Sequence, residues 1–285
     1  MATTYNNLYM DIRQTLRRAG IEAATLEARE LMCFASGKTR SQLVQDGQLY
    51  VPPAIEERAK DLVCRHLAGE PVAYLIGEWE FYGLPLDISE SVLIPRPDTE
   101  TLVDHVVAWL RPLPECRVLD LCAGSGCIGL AIASQVPGAR VVLGELDEGA
   151  LRICRQNIRR NSLSGQVVSL KMDALSDPPP RLGDFDCLVC NPPYIPSGDI
   201  AGLDVSVRDY EPHLALDFYR SVCRRWRDVL HTGSRLAFEV GIGQADDVLR
   251  LMRGEGFGEL EILPDPAGIP RVVTGLRYRE VYADA

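Results

Sequence analysis

Gly124, Gly126 and Gly129 fall in the run Cys122-Ala123-Gly124-Ser125-Gly126-Cys127-Ile128-Gly129, directly after the apolar stretch Val118-Leu119-Asp120-Leu121. A G-x-G-x-x-G pattern that leaves a strand and enters a helix admits few folds, because the glycines serve a tight turn and the close approach of backbone to a ligand. The rest of the second half repeats that unit. Strands are predicted over 117–121, 140–145, 167–172, 186–190, 235–240, 259–263 and 272–278, with helices over 128–135, 149–161, 218–230 and 243–254. Strands alternating with helices mean a parallel, doubly wound α/β sheet. The loop 264–270 is rich in proline and returns to a final strand, which suits an antiparallel pairing.

The next strand ends on Glu145, about 20 residues beyond the glycines, where a carboxylate can accept both hydroxyls of a ribose. Asp173 follows the third strand, where it can meet an adenine edge. These features fit a dinucleotide and S-adenosylmethionine equally. Three others favour the methyl donor: the second acidic residue, the absence of a hydride-transfer His or Tyr–Lys pair, and Asn191-Pro192-Pro193-Tyr194 after the fourth strand. Two prolines cannot continue a sheet ladder, so the chain leaves at the carboxyl edge, where open α/β sheets hold their ligands. Asn191 brings one amide acceptor and two donors, the prolines stiffen the backbone carbonyls, and Tyr194 adds a flat apolar face. Together they suit a planar group bearing NH₂. A lone Asn-Pro pair would be a strand-ending turn; four such residues downstream of a glycine loop ask for more.

Before this sheet the chain changes character twice. Leu8, Ile12 and Leu16 recur at helical spacing up to Gly20, Thr25 can cap a helix over 26–35, Ser41 a short third one, and Pro52-Pro53 open a helix over 54–67. Residues 1–72 thus form a small helical bundle. Residues 73–94, with Tyr74-Leu75-Ile76-Gly77, Trp79 and Phe81-Tyr82-Gly83, look β-rich and make a hairpin linking it to a third part, 95–285. Ile94-Pro95-Arg96-Pro97-Asp98-Thr99-Glu100 then fixes Arg96 between prolines, with Asp98 or Thr99 able to cap the helix that follows.

The net charge of −10 gives no basic footprint for nucleic acid, and no apolar run approaches the length of a membrane span. Nine cysteines form no regular framework, so they are expected to be reduced, in a cytoplasmic protein. Cys187-x-x-Cys190 on one strand and the Cys122, Cys127 pair are expected to be structural rather than metal ligands or a redox couple, and no metal is called for.

On these motifs the second half resembles a class I, seven-stranded S-adenosylmethionine-dependent methyltransferase. With Ile94-Pro-Arg-Pro-Asp-Thr-Glu100, Gly77-x-x-x-Phe81-Tyr82-Gly83 and Tyr210-Glu211-Pro212 added, nearly the whole chain resembles the release factor glutamine methyltransferases, PrmC/HemK. The resemblance implies methylation of the glutamine of a Gly-Gly-Gln loop in peptide chain release factors, with S-adenosylhomocysteine as product. It implies that Cys122, Ala123, Gly124, Ser125 and Gly126 line the cofactor, that Glu145 holds its ribose, and that Asp173 and Ala174 flank its adenine. Asn191, Pro192, Pro193 and Tyr194 would hold the glutamine amide, with Arg96 also assigned to substrate and Asn191 also beside the cofactor. The helical domain would dock the release factor; a monomer without membrane or direct nucleic-acid partners is expected. Two departures stand out. Glu145 replaces a commoner aspartate, and Phe218-Tyr219-Arg220 follows Asp217 at once, where relatives carry a short Gly- and acid-rich loop. The rivals are an amino-methyltransferase acting on adenine or cytosine in nucleic acid, which can share Asn-Pro-Pro-Tyr, and a non-enzymatic cofactor-binding module, which has no need of that slot.

Overall fold

The computed structural model describes residues 3–192 and 211–278. The chain divides into two compact units, Met1–Glu78 with Ile88–Glu90, and Trp79–Asp87 with Ser91–Ala285.

In the first unit, helices α1 (Tyr5–Arg18), α2 (Ala24–Ser36), α3 (Arg40–Gln45), α4 (Pro53–Leu67) and α5 (Val72–Ile76) pack around one core. Leu8, Ile12 and Leu16 lie on one face of α1 and are buried, as are Ala28, Leu31 and Met32 of α2 and Ala59 and Leu62 of α4. Each fully buried leucine is worth roughly 1.5–3 kcal/mol. Two helix caps differ from those expected. Thr25 lies inside α2, where its Oγ1 accepts from Arg17 Nη2 at 3.3 Å. The cap of α3 is Thr39, not Ser41, through a capping box with Gln42. Residues 73–76, expected to be β-rich, belong to the helix Val72–Ile76, between Pro71 as N-cap and Gly77 in the left-handed conformation.

The second unit begins at Trp79, one residue into the hairpin of β1 (Glu78–Phe81) and β2 (Leu84–Asp87). A short 3₁₀ turn, Pro97–Thr99, leads into α6 (Glu100–Leu110). Then come β3 (Cys116–Leu121), α7 (Cys127–Gln135), β4 (Ala139–Glu145), α8 (Glu148–Arg160), β5 (Val167–Lys171) and β6 (Phe185–Cys190). After α9 (Glu211–Arg225) follow β7 (Leu230–Glu239), α10 (Ala245–Gly254), β8 (Phe257–Pro264) and β9 (Pro270–Arg277). The seven strands are ordered β5-β4-β3-β6-β7-β9-β8. All pairings are parallel except those of β9, which is antiparallel to both β7 and β8. Helix α9 runs unbroken from Asp217 into Phe218, so no loop interrupts the chain there, and it ends earlier than the 218–230 periodicity predicts because Leu230 is already paired with Phe185 across the sheet.

The central strands β3 and β6 are buried on both faces, including Cys187 and Cys190, which behave as core hydrophobes. Beneath α6, the buried Arg235 of β7 donates to His105 Nε2 at 2.7 Å and stacks its guanidinium 5.4 Å from the centre of the Trp109 ring. Burial first, and then Arg235, push the His105 pKa down, so it remains a neutral acceptor. No helix among the described residues is long and apolar enough to cross a membrane.

Candidate active site

Residues 122–126 leave β3 at the carboxyl edge of the sheet, and Asn191 leaves β6 at the same edge. The register fixes their proximity: Leu121 pairs with Cys190, so Cys122 and Asn191 are the next residues on adjacent parallel strands. On the other side of β3, Leu121 pairs with Gly144, which brings Glu145 to the glycine loop. Its Oε2 accepts from the Gly124 N–H at 2.9 Å, and its Oε1 from Leu146 and Asp147 N–H at 2.7 and 2.9 Å. Asp173 lies one strand further out, after Met172 N–H has bonded to the Glu145 carbonyl. Its carboxylate closes a local turn on Leu175 N–H and the Ser176 hydroxyl, at 2.9 and 2.8 Å. Ala174 is buried, and its carbonyl accepts from Trp226 Nε1 at 2.9 Å.

The sequence-predicted residues Cys122 to Gly126, Glu145, Asp173, Ala174, Asn191 and Pro192 therefore share one edge of four neighbouring strands. Asn191 is half-buried and Pro192 buried. Pro193 and Tyr194, and Tyr210 of the Tyr-Glu-Pro signature, lie outside the described residues. Arg96 is exposed and its stretch reaches the edge elsewhere. Asp98 does not cap α6; it pairs with Arg271 Nη2 at 3.0 Å, and Arg271 Nε lies 3.3 Å from Asp265. That clamp ties the Ile-Pro-Arg-Pro segment to the start of β9.

Several supporting residues were not singled out from the sequence. Asn157 of α8 is fully buried; its amide donates to the carbonyls of Ser125 at 2.9 Å and Asp87 at 3.1 Å, and its oxygen accepts from Asp87 N–H at 2.6 Å. One side chain thereby joins the glycine loop to the hairpin. The Cys154 thiol donates to the Gly124 carbonyl at 3.1 Å. Leu146, directly after Glu145, is 54% exposed and offers an apolar plate at the edge.

Gly124 is in the left-handed region, and a Cβ there would meet nothing within 4 Å, so the loop is open on that side. An open glycine backbone, a strand-end carboxylate with acceptor capacity for hydroxyls, and an exposed aliphatic face beside it make a donor set that fits a nucleoside.

Asp120 sits under this loop, fully buried, with Oδ2 accepting from Gly129 N–H at 2.9 Å. Burial raises its pKa to about 7, with Glu145 adding to the rise and the Gly129 bond opposing it. A raised carboxyl binds its proton more tightly folded than unfolded, so Asp120 adds stability as pH falls from about 7 towards the unfolded value and adds nothing above it. The stability of the parent relative to Asp120→Asn should accordingly rise on acidification, by up to about 4 kcal/mol, and level off near pH 4. Urea titrations at several pH values measure it. A difference independent of pH would mean that Asp120 titrates normally.

Comparison with known proteins identifies the family. Residues 7–77 match the PrmC N-terminal domain, and residues 97–203 the methyltransferase small domain. The release factor glutamine methyltransferase of Geobacter sulfurreducens is 40% identical over 273 residues, covering 92% of this chain and 93% of that protein. The chain belongs to the release factor glutamine methyltransferases. The Moorella thermoacetica member of that family is 36% identical over 286 residues, covering 95% of this chain and all of that protein (100%). Among solved structures, the delta-N METTL16 methyltransferase domain superposes with a TM-score of 0.55 at 18% identity, covering 70% of this chain and 90% of that one, a likeness of fold.

Proposed function

We propose that this chain transfers a methyl group from S-adenosylmethionine to the side-chain amide nitrogen of the glutamine in the Gly-Gly-Gln motif of peptide chain release factors. The observation that carries this is the register that sets Asn191 beside the start of the glycine loop, in a chain of this family. When bound, S-adenosylmethionine supplies a methyl group made electrophilic by its sulfonium. Residues Cys122 to Gly126 would line it, Glu145 would take the ribose hydroxyls, and Asp173, Ala174 and Leu146 would flank the adenine.

An amide nitrogen is a weak nucleophile because its lone pair is delocalised into the carbonyl. The Asn191 side-chain oxygen and the Pro192 carbonyl each accept a hydrogen bond from the target NH₂. They orient the nitrogen and stabilise the positive charge that grows on it. Pro193 and Tyr194 are assigned to the same amide. Alignment supplies much of the acceleration. The charged nitrogen then gives one proton to water without a strong base. Arg96 contacts the substrate from the β9 side, and the helical domain, residues 1–72, docks the release factor, with residues 73–94 as the linker to 95–285. The enzyme acts as a monomer in the cytoplasm.

The test is methyl transfer from labelled S-adenosylmethionine to an intact release factor, to a variant lacking the Gly-Gly-Gln glutamine, and to duplex DNA. Label on the intact factor alone is expected. Label on DNA, or on both forms of the factor, overturns the glutamine assignment and favours a nucleic-acid amino group.

A further inference from the structure

The carboxyl edge of the sheet divides at β6. On one side lie β3, β4 and β5, with the glycine loop, Glu145 and Asp173; on the other lie β7, β9 and β8. Under the proposed function, on which this inference rests, the nucleoside takes the first side. A glutamine that reaches Asn191 must then bring its own chain in over the second. Among the described residues, the turn after β7 is the nearest feature on that side. Cys190 pairs with Phe238, so Glu239 and Val240 run beside Asn191 and Pro192, and Gly241-Ile242-Gly243 stands just beyond them.

Ile242 is 71% exposed at the tip of this turn. The turn is nevertheless firmly held. Gln244 Oε1 accepts from the Gly241 N–H at 3.1 Å. The Tyr219 hydroxyl donates to the Glu239 carbonyl at 3.1 Å, with Gln244 Oε1 3.4 Å away, and Tyr219 is fully buried. Gly243 holds φ +82, and a Cβ on Gly241 would lie 3.0 Å from Gln244 Oε1. On the far side, Val240 N–H donates to the Arg271 carbonyl at 2.8 Å, and the Arg271 side chain grips Asp98 and Asp265. A branched aliphatic side chain is thus kept in water by a built scaffold, at the end of the strand that neighbours β6.

We propose that Ile242 is a substrate-positioning residue, packing against the two glycines that precede the target glutamine and setting the direction from which the amide enters the slot. Glycine backbone suits this contact, because without a Cβ it lies flat against an aliphatic surface. The contact excludes water only once the substrate is seated, so its effect falls on substrate binding.

The experiment compares Ile242→Ala, Ile242→Asp and Ile242→Val with the parent, using an intact release factor and labelled S-adenosylmethionine. Cofactor affinity is measured separately by calorimetry, and thermal midpoints control for folding. Ile242→Ala should raise KM for the release factor about tenfold, Ile242→Asp should raise it further, and Ile242→Val should restore most of the parent value. Turnover at saturation should fall less than KM rises, and cofactor affinity should hold throughout. Equal KM in the parent, alanine and aspartate proteins overturns the inference while the function stands. A parent that labels no release factor overturns the function itself.

Discussion

Asn191→Ala is expected to lower turnover about a hundred- to a thousandfold, the usual loss for one preorganised polar group aimed at a developing charge. Cofactor affinity should change far less. The reason lies in the placement of Asn191. It is the first residue beyond the paired end of β6, and the backbone behind it is fixed by the Leu121 and Cys190 pairing and by the buried Pro192 after it. Truncation at Cβ therefore removes an acceptor without releasing the strand. The glycine loop and Glu145 hang on β3 and β4 through bonds of their own. Single-turnover transfer to a release factor, set beside calorimetric titration with S-adenosylmethionine, separates the two effects. A parallel collapse of both would make Asn191 a structural support of the cofactor loop, and turnover near the parental rate would leave the amide slot without a role.

What could be read from the chain in advance was whatever is local. The glycine loop, Glu145 and the strand before Asn191 announce themselves, since a tight turn, a strand-end carboxylate and an apolar run each need only neighbours in sequence. The capping box at Thr39 was equally local, with Gln42 three residues on, and Ser41 drew attention from it. Asp98 is different. It has the look of an N-cap, but Arg271, at the opposite end of the domain's sequence, competes for its carboxylate and wins through a partly buried ion pair. Asn157 shows half a signal. A polar residue on the apolar face formed by Leu151, Cys154 and Ile158 is visible, whereas its bonds to Ser125 and Asp87 exist only once the hairpin and the loop have met. The span 73–76 misled because Tyr74 and Ile76 favour strands, while Pro71 and Gly77 had already marked the ends of one short helix.

Gly129→Ala sets two known effects against each other, and packing should win. Gly129 lies inside α7 with ordinary helical backbone, where alanine normally gains about 1 kcal/mol over glycine. Here a Cβ would lie 2.4 Å from Leu143 Cδ2, 3.0 Å from Asp120 Oδ2 and 3.0 Å from Val141 Cγ1. All three atoms belong to buried side chains of β3 and β4, so none can swing into solvent. Overpacking of this kind costs typically ~1–3 kcal/mol, and the Leu143 approach is short enough to place it at the upper end. The net expectation is a destabilisation of about 1–2 kcal/mol, or some 2–8 °C in thermal midpoint. Gly124→Ala is the contrast, because its Cβ would enter open space. It carries a left-handed backbone cost of about 1–2 kcal/mol, and its further effect falls on the ligand side of the loop. The decisive measurement is a double-mutant cycle with Leu143→Ala. If the clash sets the cost, Gly129→Ala should be markedly less harmful once Leu143 has been shortened, with a coupling of about 1 kcal/mol or more. Strict additivity, or a Gly129→Ala protein more stable than its parent, would mean that α7 can slide outward from β4, and that the third glycine of the motif is not there to let helix and sheet meet.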